Sequence, residues 1–432
     1  MNVSEIAKNA NASALVLAHL STDLKNQALG MMADALEEHC DAILSANKKD
    51  LEFAENEGVA KALIARLALN DEKVRGMAKG IRSVVALEDP VGKVKSVMEM
   101  DQDMVVEQVT CPIGVIGAIF ESRPDAVPQI SSLCLKSGNA VILKGGREAQ
   151  NSNKVIVNLL VEAMSKVPGV PQSAVQMIET RAEVVDMLKE EKYIHLIVPR
   201  GSNSFVKYIQ ENTRIPVLGH SEGVCHGYID KSADLDKAIR ISLDSKLQYP
   251  AACNAMETLL VHKDISAEIL PDLVAKFREK QVELVGCVKT CQVVPDVSPA
   301  CEADWDLEYN DLKLSIKIVD GLSEAVKFIN KHGSGHTDVI ITDNRQQAEQ
   351  FLNEVSSASV MWNASTRFAD GFRYGLGAEI GISTNRTHAR GPVGLEGLVI
   401  YKYKLYGNGQ IVSDYSGDNA REFTHKPLTP PI

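Results

Sequence analysis

The chain has 432 residues, of which 45% are hydrophobic and 24% are charged, as is usual for a globular protein. A chain of this length is too long for one simple hydrophobic core, so we predict two or three domains. Its 46 Lys and Arg residues and 57 Asp and Glu residues give a net charge of -11, which argues against a general binder of nucleic acids or of anionic membranes.

The segment before residue 90 is predicted to be helical. Apolar residues recur at helical spacing in residues 22–43, and a second helical stretch spans residues 60–87. The first residues lack the basic start and the apolar block of a secretory signal. No apolar run approaches the length of a transmembrane helix, and we therefore expect a cytoplasmic protein.

Residues 94–109 alternate between apolar and polar positions and predict a hairpin of two strands, with its turn at residues 101–103. The tail at residues 397–412 alternates in the same way. We expect the tail to pair with the hairpin as a protruding flap, whose apolar edge favours a partner subunit.

From residue 115 onward, short apolar strands alternate with helices in two successive sets. The first set has predicted strands at residues 115–120, 140–144, 175–178, 196–198 and 217–218. The second set has predicted strands at residues 258–261, 282–285, 315–319, 339–342 and 359–361. This alternation predicts two α/β domains with parallel sheets, whose ligands bind at the carboxyl ends of the strands.

Cys253 differs from the other cysteines because it lies in a turn, Tyr249-Pro-Ala-Ala-Cys-Asn254, that leads directly into an apolar run. Its small neighbours leave room for a planar acyl group to approach the sulfur. A nucleophilic role would require a thiolate in a positive or polar environment. The alternative is a small buried hydrophobic residue, as most cysteines are.

The eight cysteines are scattered without a repeated spacing and without a secretory context, which favours reduced thiols over a disulfide framework. Cys287, Cys291 and Cys301, followed by two histidines, match no compact zinc motif. We interpret the polar segment at residues 220–226 as the lining of a cleft, and we predict no metal site.

Cations and glycines follow the predicted strands of the first set. Arg123 precedes Pro124 at the predicted start of a helix, a position that favours an anion. Glycine amides and cations after the next strands suit the hydroxyls or phosphates of a nucleotide, although the residues near position 202 could equally cap a helix. The candidate nucleotide-binding residues are Lys144, Gly145, Gly146, Arg147, Gly201 and Ser202.

A glycine-rich loop at residues 372–397 carries an unusual number of polar and basic side chains. Cations among glycines indicate contact with an anion, and the alternative is a crossover on the surface. Together with Arg123, we expect this loop to hold the anionic groups of the substrate. The residues concerned in the loop are Asn385, Arg386, His388 and Arg390.

These segments together resemble the aldehyde dehydrogenase superfamily over essentially the whole chain. Within it, the chain is similar to the branch that reduces L-glutamyl 5-phosphate. The resemblance rests on residues 120–125, 135–146, 233–238, 249–254, 332–337 and 388–396.

The resemblance implies an α/β fold of two Rossmann-like parallel-sheet domains and a small β oligomerisation flap, in a homo-oligomer. Residues 1–93 and 113–228 would form the NADP-binding domain. Residues 229–378 would form the catalytic domain, which contains Cys253. Residues 94–112 and 397–414 would form the flap.

The resemblance also implies roles for individual residues. Cys253 is similar to the nucleophile of the superfamily, Lys144 to the residue at the adenosine ribose, and Glu308 to the residue at the nicotinamide ribose. NADPH would be the cofactor, with Arg147 as a candidate partner of its additional phosphate. Asn254 is a candidate donor to the oxyanion, beside the backbone N–H of Cys253.

Two departures from the hydrolytic members point to a reduction. Residues 121–125 contain no match to the oxyanion asparagine, and residues 218–223 replace the motif of the general base. Reduction of an acyl phosphate needs no base to activate water. We therefore expect NADPH-dependent reduction of L-glutamyl 5-phosphate to L-glutamate 5-semialdehyde through a Cys253 thioester, in proline biosynthesis.

Two alternatives within the same superfamily stay open, a hydrolytic dehydrogenase and a CoA-acylating dehydrogenase. The hydrolytic alternative rests on Glu222 as a candidate base. In the biosynthetic reaction, a glutamate 5-kinase that supplies the labile acyl phosphate is a candidate partner.

Overall fold

The computed structural model describes residues 1–59, 61–201, 203–220 and 222–430. Its helices are α1 (Val3–Leu17), α2 (Thr22–Glu38), α3 (Cys40–Asn56), α4 (Lys61–Leu67), α5 (Asp71–Val85), α6 (Ala126–Lys136), α7 (Gln150–Met164), α8 (Arg181–Met187), α9 (Asn203–Glu211), α10 (Leu235–Leu247), α11 (Lys263–Glu279), α12 (Val288–Val293), α13 (Leu322–His332) and α14 (Arg345–Glu354). Its strands are β1 (Val94–Asp101), β2 (Met104–Pro112), β3 (Val115–Phe120), β4 (Ala140–Lys144), β5 (Val175–Met177), β6 (Leu196–Arg200), β7 (Cys225–Ile229), β8 (Met256–His262), β9 (Glu283–Gly286), β10 (Ser298–Pro299), β11 (Lys313–Val319), β12 (Thr337–Ile341), β13 (Ser359–Trp362), β14 (Gly381–Ser383), β15 (Gly391–Val393), β16 (Val399–Tyr406) and β17 (Lys426–Leu428). No helix in these ranges is both long enough and apolar enough to cross a membrane.

Four parallel strands in the order β5-β4-β3-β6 form the first sheet. Every residue of β3 is buried, since α1 and α6 both pack against this strand. The register pairs Ile119 with Lys144 and Phe120 with Arg200. The carboxyl ends of β3, β4 and β6 therefore lie side by side, as the strand alternation predicts.

Seven parallel strands in the order β10-β9-β11-β8-β7-β12-β13 form the second sheet. Strand β8 lies between β11 and β7 and is buried at every residue. Strand β7 begins at Cys225, so the predicted domain boundary between residues 228 and 229 falls inside a strand. This strand mixes His and Gly with apolar residues, and its hydrophobic pattern is therefore too weak to identify it.

A four-stranded antiparallel sheet in the order β16-β2-β1-β17 forms the flap. The predicted hairpin is present as β1 and β2, and β16 pairs with β2 along its whole length from Val399 to Tyr406. Strand β17 lies beyond the predicted end of the flap at residue 414, and its three residues are too few to show an alternating pattern. The predicted fold, two parallel sheets with a small antiparallel one, is confirmed.

The segment after β3 differs from its prediction. Helix α6 starts at Ala126 with Asp125 as its N-cap, and Pro124 lies in the preceding turn. The Ala126 N–H donates to the Arg123 carbonyl at 3.0 Å. Arg123 is therefore part of a turn that leads into the helix, and it does not lie directly at the helix N-terminus.

Candidate active site

Cys253 lies in the turn between α10 and β8 and is partly exposed. Backbone hydrogen bonds close the turn on both sides of the sulfur, from the Ala252 N–H to the Tyr249 carbonyl at 3.1 Å and from the Ala255 N–H to the Ala252 carbonyl at 2.8 Å. The Cys253 carbonyl accepts from the Cys225 thiol at 3.2 Å. The predicted nucleophile therefore precedes β8, at the amino edge of the second sheet, where the general expectation for parallel sheets places no ligand.

Gly223 packs directly behind this turn. A Cβ atom on Gly223 would lie 2.1 Å from the carbonyl oxygen of Cys253 and 2.7 Å from Oε1 of Glu308. Both distances are shorter than a non-bonded contact allows, so only glycine fits here. The close approach brings the predicted nucleophile and the predicted cofactor carboxylate together across one residue.

A buried ion pair joins the two ends of the Cys253 turn. Lys246, in the last turn of α10, donates to Glu257 of β8 at 2.6 Å, and both side chains have 0% exposure. Burial raises the pKa of Glu257 to about 7, and burial lowers the pKa of Lys246. The second carboxylate oxygen of Glu257 accepts from the N–H of Asn310 at 3.3 Å, so the same pair also anchors the loop that carries Glu308.

Two arginines place positive charge around Cys253. Burial and then Arg123 lower the pKa of Arg200 to about 10, and the Cys253 thiolate acts in the opposite direction. Burial also lowers the pKa of Arg367, again with Cys253 acting in the opposite direction. With a pKa of about 10, Arg200 stays charged at neutral pH, so an anionic group bound beside Cys253 would meet a positive charge.

The carboxyl edge of the first sheet holds the predicted cofactor lysine. Lys144 is half-buried, and burial lowers its pKa. Its ammonium makes no hydrogen bond within the described part of the chain. Gly145 is buried, and a Cβ atom on it would lie 1.9 Å from Nδ2 of Asn153, so the Asn153 side chain packs on the backbone beside the lysine.

The loops after β3 and β4 are joined by one carboxylate. Oε1 of Glu148 accepts from the N–H and the hydroxyl of Ser122 at 2.6 and 2.7 Å. A Cβ atom on Gly146 would lie 2.0 Å from the same oxygen. The packing of Glu148 therefore accounts for the glycine at position 146 without any contact to a ligand.

The other predicted cofactor residues lie around this edge. Arg147 is exposed, and its guanidinium carbon lies 5.0 Å from the centre of the Phe53 ring. Gly201 follows β6, whereas Ser202 lies outside the described residues. Nδ2 of Asn203 donates to Oε2 of Glu308 at 2.9 Å. This bond connects the carboxyl edge of the first sheet to the amino edge of the second.

The predicted substrate residues of the carboxyl-terminal loop do not converge on one point. Asn385 donates to the Val217 carbonyl at 2.6 Å, His388 donates to the Gly397 carbonyl at 3.0 Å, and Arg390 donates to the Ser356 carbonyl at 2.6 Å. Arg386 is exposed. Backbone carbonyls therefore occupy donors that the sequence pattern assigned to an anion.

Asn254 also has a partner that its sequence position does not indicate. Its side chain is buried, and its Nδ2 donates to the Ala369 carbonyl at 2.8 Å. This bond ties the Cys253 turn to a distant segment, and the donation of Asn254 to an oxyanion stays a prediction.

Three side chains near Cys253, those of Arg200, Arg367 and His336, are not among the predicted site residues, whereas His220 lies in the segment that the sequence predicts to line a cleft. Arg200 has a sequence signal, because it ends a buried strand in the same way as Lys144. Arg367 has none, since it lies far along the chain in a short helical turn. His220 and His336 belong to segments with polar or family motifs, and each of them offers a ring nitrogen within 4.8 Å of the Cys253 sulfur.

Comparison with known proteins decides the family. The model described as "Aldehyde dehydrogenase family" matches residues 1–300. The gamma-glutamyl phosphate reductase of Methanococcoides burtonii is 54% identical over 99% of this chain and 97% of its own, and that of Acetivibrio thermocellus is 53% identical over 99% of both chains. The crystal structure of gamma-glutamyl phosphate reductase from Thermotoga maritima matches with a TM-score of 0.92 and 43% identity, over 95% of this chain and 100% of that chain.

The chain belongs to the gamma-glutamyl phosphate reductase family of the aldehyde dehydrogenase superfamily. It is therefore an oxidoreductase, and the superfamily resemblance seen in its motifs is confirmed. An acetylating aldehyde dehydrogenase from Geobacillus thermoglucosidasius shares the fold, with a TM-score of 0.67 at 16% identity over 95% of this chain and 97% of that chain.

The buried pair behind the nucleophile of this reductase family member can be tested by unfolding. Replacement of Lys246 by Met leaves the Glu257 carboxylate buried without a counter-charge, so we expect the free energy of unfolding to fall by about 3–5 kcal/mol. Lys237→Met is the control, because it removes a half-exposed ion pair with Asp343 and should cost at most about 1 kcal/mol. Urea unfolding followed by circular dichroism compares the two, and equal losses would contradict the assigned importance of the buried pair.

The loss of unfolding free energy in Lys246→Met should also depend on pH. Burial raises the pKa of Glu257 from its ordinary value of 4.5 to about 7, and Lys246 opposes that rise, so loss of the lysine raises the pKa further. A carboxyl group with a higher pKa in the folded protein than in the unfolded one loses stabilisation as the pH rises through its folded pKa. The loss of unfolding free energy relative to the wild type should therefore shrink toward acidic pH and grow through neutrality. A loss that stays constant with pH would contradict the raised pKa of Glu257.

Proposed function

We propose that the protein reduces L-glutamyl 5-phosphate to L-glutamate 5-semialdehyde with NADPH and releases phosphate, as a step of proline biosynthesis. The observation that carries this proposal is the partly exposed Cys253 thiol, which is electrostatically coupled to Arg200 and Arg367. The gamma-glutamyl phosphate reductases that are 51–54% identical over nearly the whole chain support the choice of substrate.

The first step uses residues of the chain alone. The Cys253 thiolate attacks the acyl carbon, a carbon–sulfur bond forms, and the bond from that carbon to the phosphate oxygen breaks. Phosphate leaves with the bonding electron pair and takes up one proton from solvent. The positive charge of Arg200 stabilises both the thiolate and the departing phosphate, since each carries negative charge close to a partly desolvated cation.

The second step returns the enzyme to its starting state. NADPH, when bound, supplies a hydride to the acyl carbon. Cys253 is then expelled as a thiolate when the carbon–sulfur bond breaks, and the aldehyde is released. The overall change consumes one acyl phosphate, one NADPH and one proton, and it produces one aldehyde, one NADP and one phosphate.

The residues at the junction of the two sheets fit a dinucleotide. The half-buried ammonium of Lys144 has no hydrogen-bond partner in the described residues, so ligand hydroxyls can replace the water that it has lost. Glu308 is half-buried and lies beside the Cys253 turn, a position from which its carboxylate can bind a ribose near the reacting carbon. We propose Lys144 and Glu308 for the two riboses and Arg147 for the additional phosphate of NADPH.

The reduction is favoured over hydrolysis by the surroundings of Cys253. Two of its electrostatic partners, Arg200 and Arg367, are cations, which suit an anionic leaving group. Glu222, the carboxylate that keeps the hydrolytic alternative open, is exposed. A solvent-exposed carboxylate does not exclude bulk water from its surroundings, so Glu222 is a poor candidate for activating one water molecule at the acyl carbon.

The assay that separates these reactions runs the enzyme in reverse, with L-glutamate 5-semialdehyde and NADP. NADPH formation should require phosphate, because phosphate is the group that must release the acyl chain from Cys253. A rate that persists without phosphate would support hydrolysis, and a rate that requires CoA would support the acylating alternative.

Cys253→Ala should lower this phosphate-dependent turnover to below about one per cent of the wild type, because the nucleophile is lost. Unfolding curves should stay close to those of the wild type, since the substitution is small and the site is partly exposed. Cys301→Ala is the control, as this cysteine is exposed and should be dispensable. Residual turnover of several per cent in Cys253→Ala would argue against the nucleophile assignment.

Arg200→Gln should raise the KM of the acyl phosphate about 10- to 100-fold, the effect of losing a charge-assisted hydrogen bond, and should change the KM of NADPH much less. Arg123→Gln should act in the same direction, since Arg123 is coupled to Arg200. Arg200→Lys should recover part of the loss, and Arg345→Gln is an exposed control. A larger effect on the KM of NADPH would contradict the assignment of both arginines to the substrate.

We also propose that the protein is a homo-oligomer that assembles through the flap. Strand β16 is the outer strand of its sheet in the described part of the chain, and its exposed side chains include Tyr401, Tyr403 and Leu405, at 51%, 65% and 63% exposure. An unpaired edge with large apolar side chains favours a second copy of the chain.

Leu405→Asp should shift the mass measured by light scattering toward the 47.0 kDa of one chain, because a carboxylate cannot be buried at such an interface without a partner. Leu15→Asp is a matched control, since Leu15 is 67% exposed on α1 and lies outside the flap. A monomeric wild type, or an unchanged mass in Leu405→Asp, would contradict this interface. We also propose that a glutamate 5-kinase delivers the acyl phosphate and that the protein is cytoplasmic.

A further inference from the structure

We propose that Cys253, His220 and His336 form a binding site for a soft divalent cation such as Zn²⁺, which reversibly blocks the Cys253 thiol. Ligand atoms of these three side chains all lie within 4.8 Å of one another. Among the described residues, they are the one such group of three. The inference rests on this geometry and is independent of the proposed reaction.

The hydrogen bonds of the two imidazoles engage the Nδ1 atom of each ring. Nδ1 of His220 donates to the Ile382 carbonyl at 2.8 Å, so its neutral ring carries a lone pair on Nε2. Nδ1 of His336 lies 2.8 Å from the Thr337 hydroxyl. Metal-binding histidines are oriented in this way, with one ring nitrogen held by a backbone carbonyl or another polar group and the other turned to the metal.

His336 also has an unsatisfied polar atom. The side chain is 1% exposed, and its Nε2 atom has no hydrogen-bond partner among the described residues. A buried polar atom without a partner is costly. A metal ion that accepts the Nε2 lone pair would remove this cost, which gives the site an independent reason to bind a ligand.

Two imidazoles and one thiolate match the donors that Zn²⁺ prefers, and a fourth position stays open for water. Around tetrahedral Zn²⁺, the donor atoms lie about 3.5 Å apart. The three side chains must therefore approach one another by about 1 Å when Zn²⁺ binds.

The cations around the nucleophile limit the affinity. Arg200 and Arg367 interact with the Cys253 charge and repel a divalent ion by the same field. We therefore expect binding in the micromolar range and not a permanently loaded metal centre. The proposal therefore departs from the sequence analysis, which predicts no metal site.

The test uses the full-length protein, stripped of metal by a chelator. Zn²⁺ is titrated in competition with a metal-binding dye, and Co²⁺ is used to detect the thiolate-to-metal charge-transfer band. We expect one equivalent of Zn²⁺ to bind and to protect Cys253 from alkylation by iodoacetamide, as located by mass spectrometry. A chelator should restore the alkylation rate.

Variants identify the donors. Cys253→Ser should abolish the charge-transfer band, and His220→Ala and His336→Ala should each weaken Zn²⁺ binding by at least about tenfold. His332→Ala is the matched control, because this histidine pairs with Asp306 and should leave the affinity unchanged. Two histidine variants are used because loss of the buried His336 alone could disturb folding, which circular dichroism would reveal.

Three results would overturn the proposal. The first is an absence of Zn²⁺ binding to the wild type at micromolar concentration. The second is one-equivalent binding that persists in Cys253→Ser. The third is wild-type affinity in a folded His220→Ala protein. Each of these measurements is separate from enzymatic turnover, so their failure would leave the proposed reduction of L-glutamyl 5-phosphate untouched.

Discussion

The reactive region depends on the buried ion pair between Lys246 and Glu257. Two charged groups without exposure are tolerated only together, because either one alone would be a buried charge without a partner. The pair ties the end of α10 to the start of β8 and holds the Asn310 backbone. It therefore sets the position of Cys253 relative to Glu308, which Gly223 brings into the same contact.

This arrangement places the site between two sheet edges of opposite polarity. The carboxyl edge of the first sheet presents Lys144 and Arg200, and the amino edge of the second presents Cys253. The hydrogen bond between Asn203 and Glu308 spans the two edges. An electrophile bound there meets the nucleophile from one sheet and cations from the other, which is the environment that an anionic acyl group requires.

Much of this could be predicted from local patterns. Apolar runs identified most strands of both sheets, and the turn predicted around Cys253 is present before β8. Local sequence patterns do not indicate hydrogen-bond partners that come from distant segments of the chain. Asn254, His388 and Arg390 bind backbone carbonyls from distant segments, and nothing in their own neighbourhoods indicates those partners. Arg367 approaches Cys253 only because the chain returns to the nucleophile turn more than a hundred positions later.

The accessibility that suits the proposed reaction also explains the inferred metal site. A thiol that must accept a planar acyl group cannot be covered, and the imidazoles of His220 and His336 each bring a ring nitrogen within 4.8 Å of its sulfur. A soft cation and an acyl carbon would therefore compete for one sulfur. The positive field of Arg200 and Arg367 biases that competition toward the anionic substrate, which makes charge, and not shape, the property that separates the two ligands.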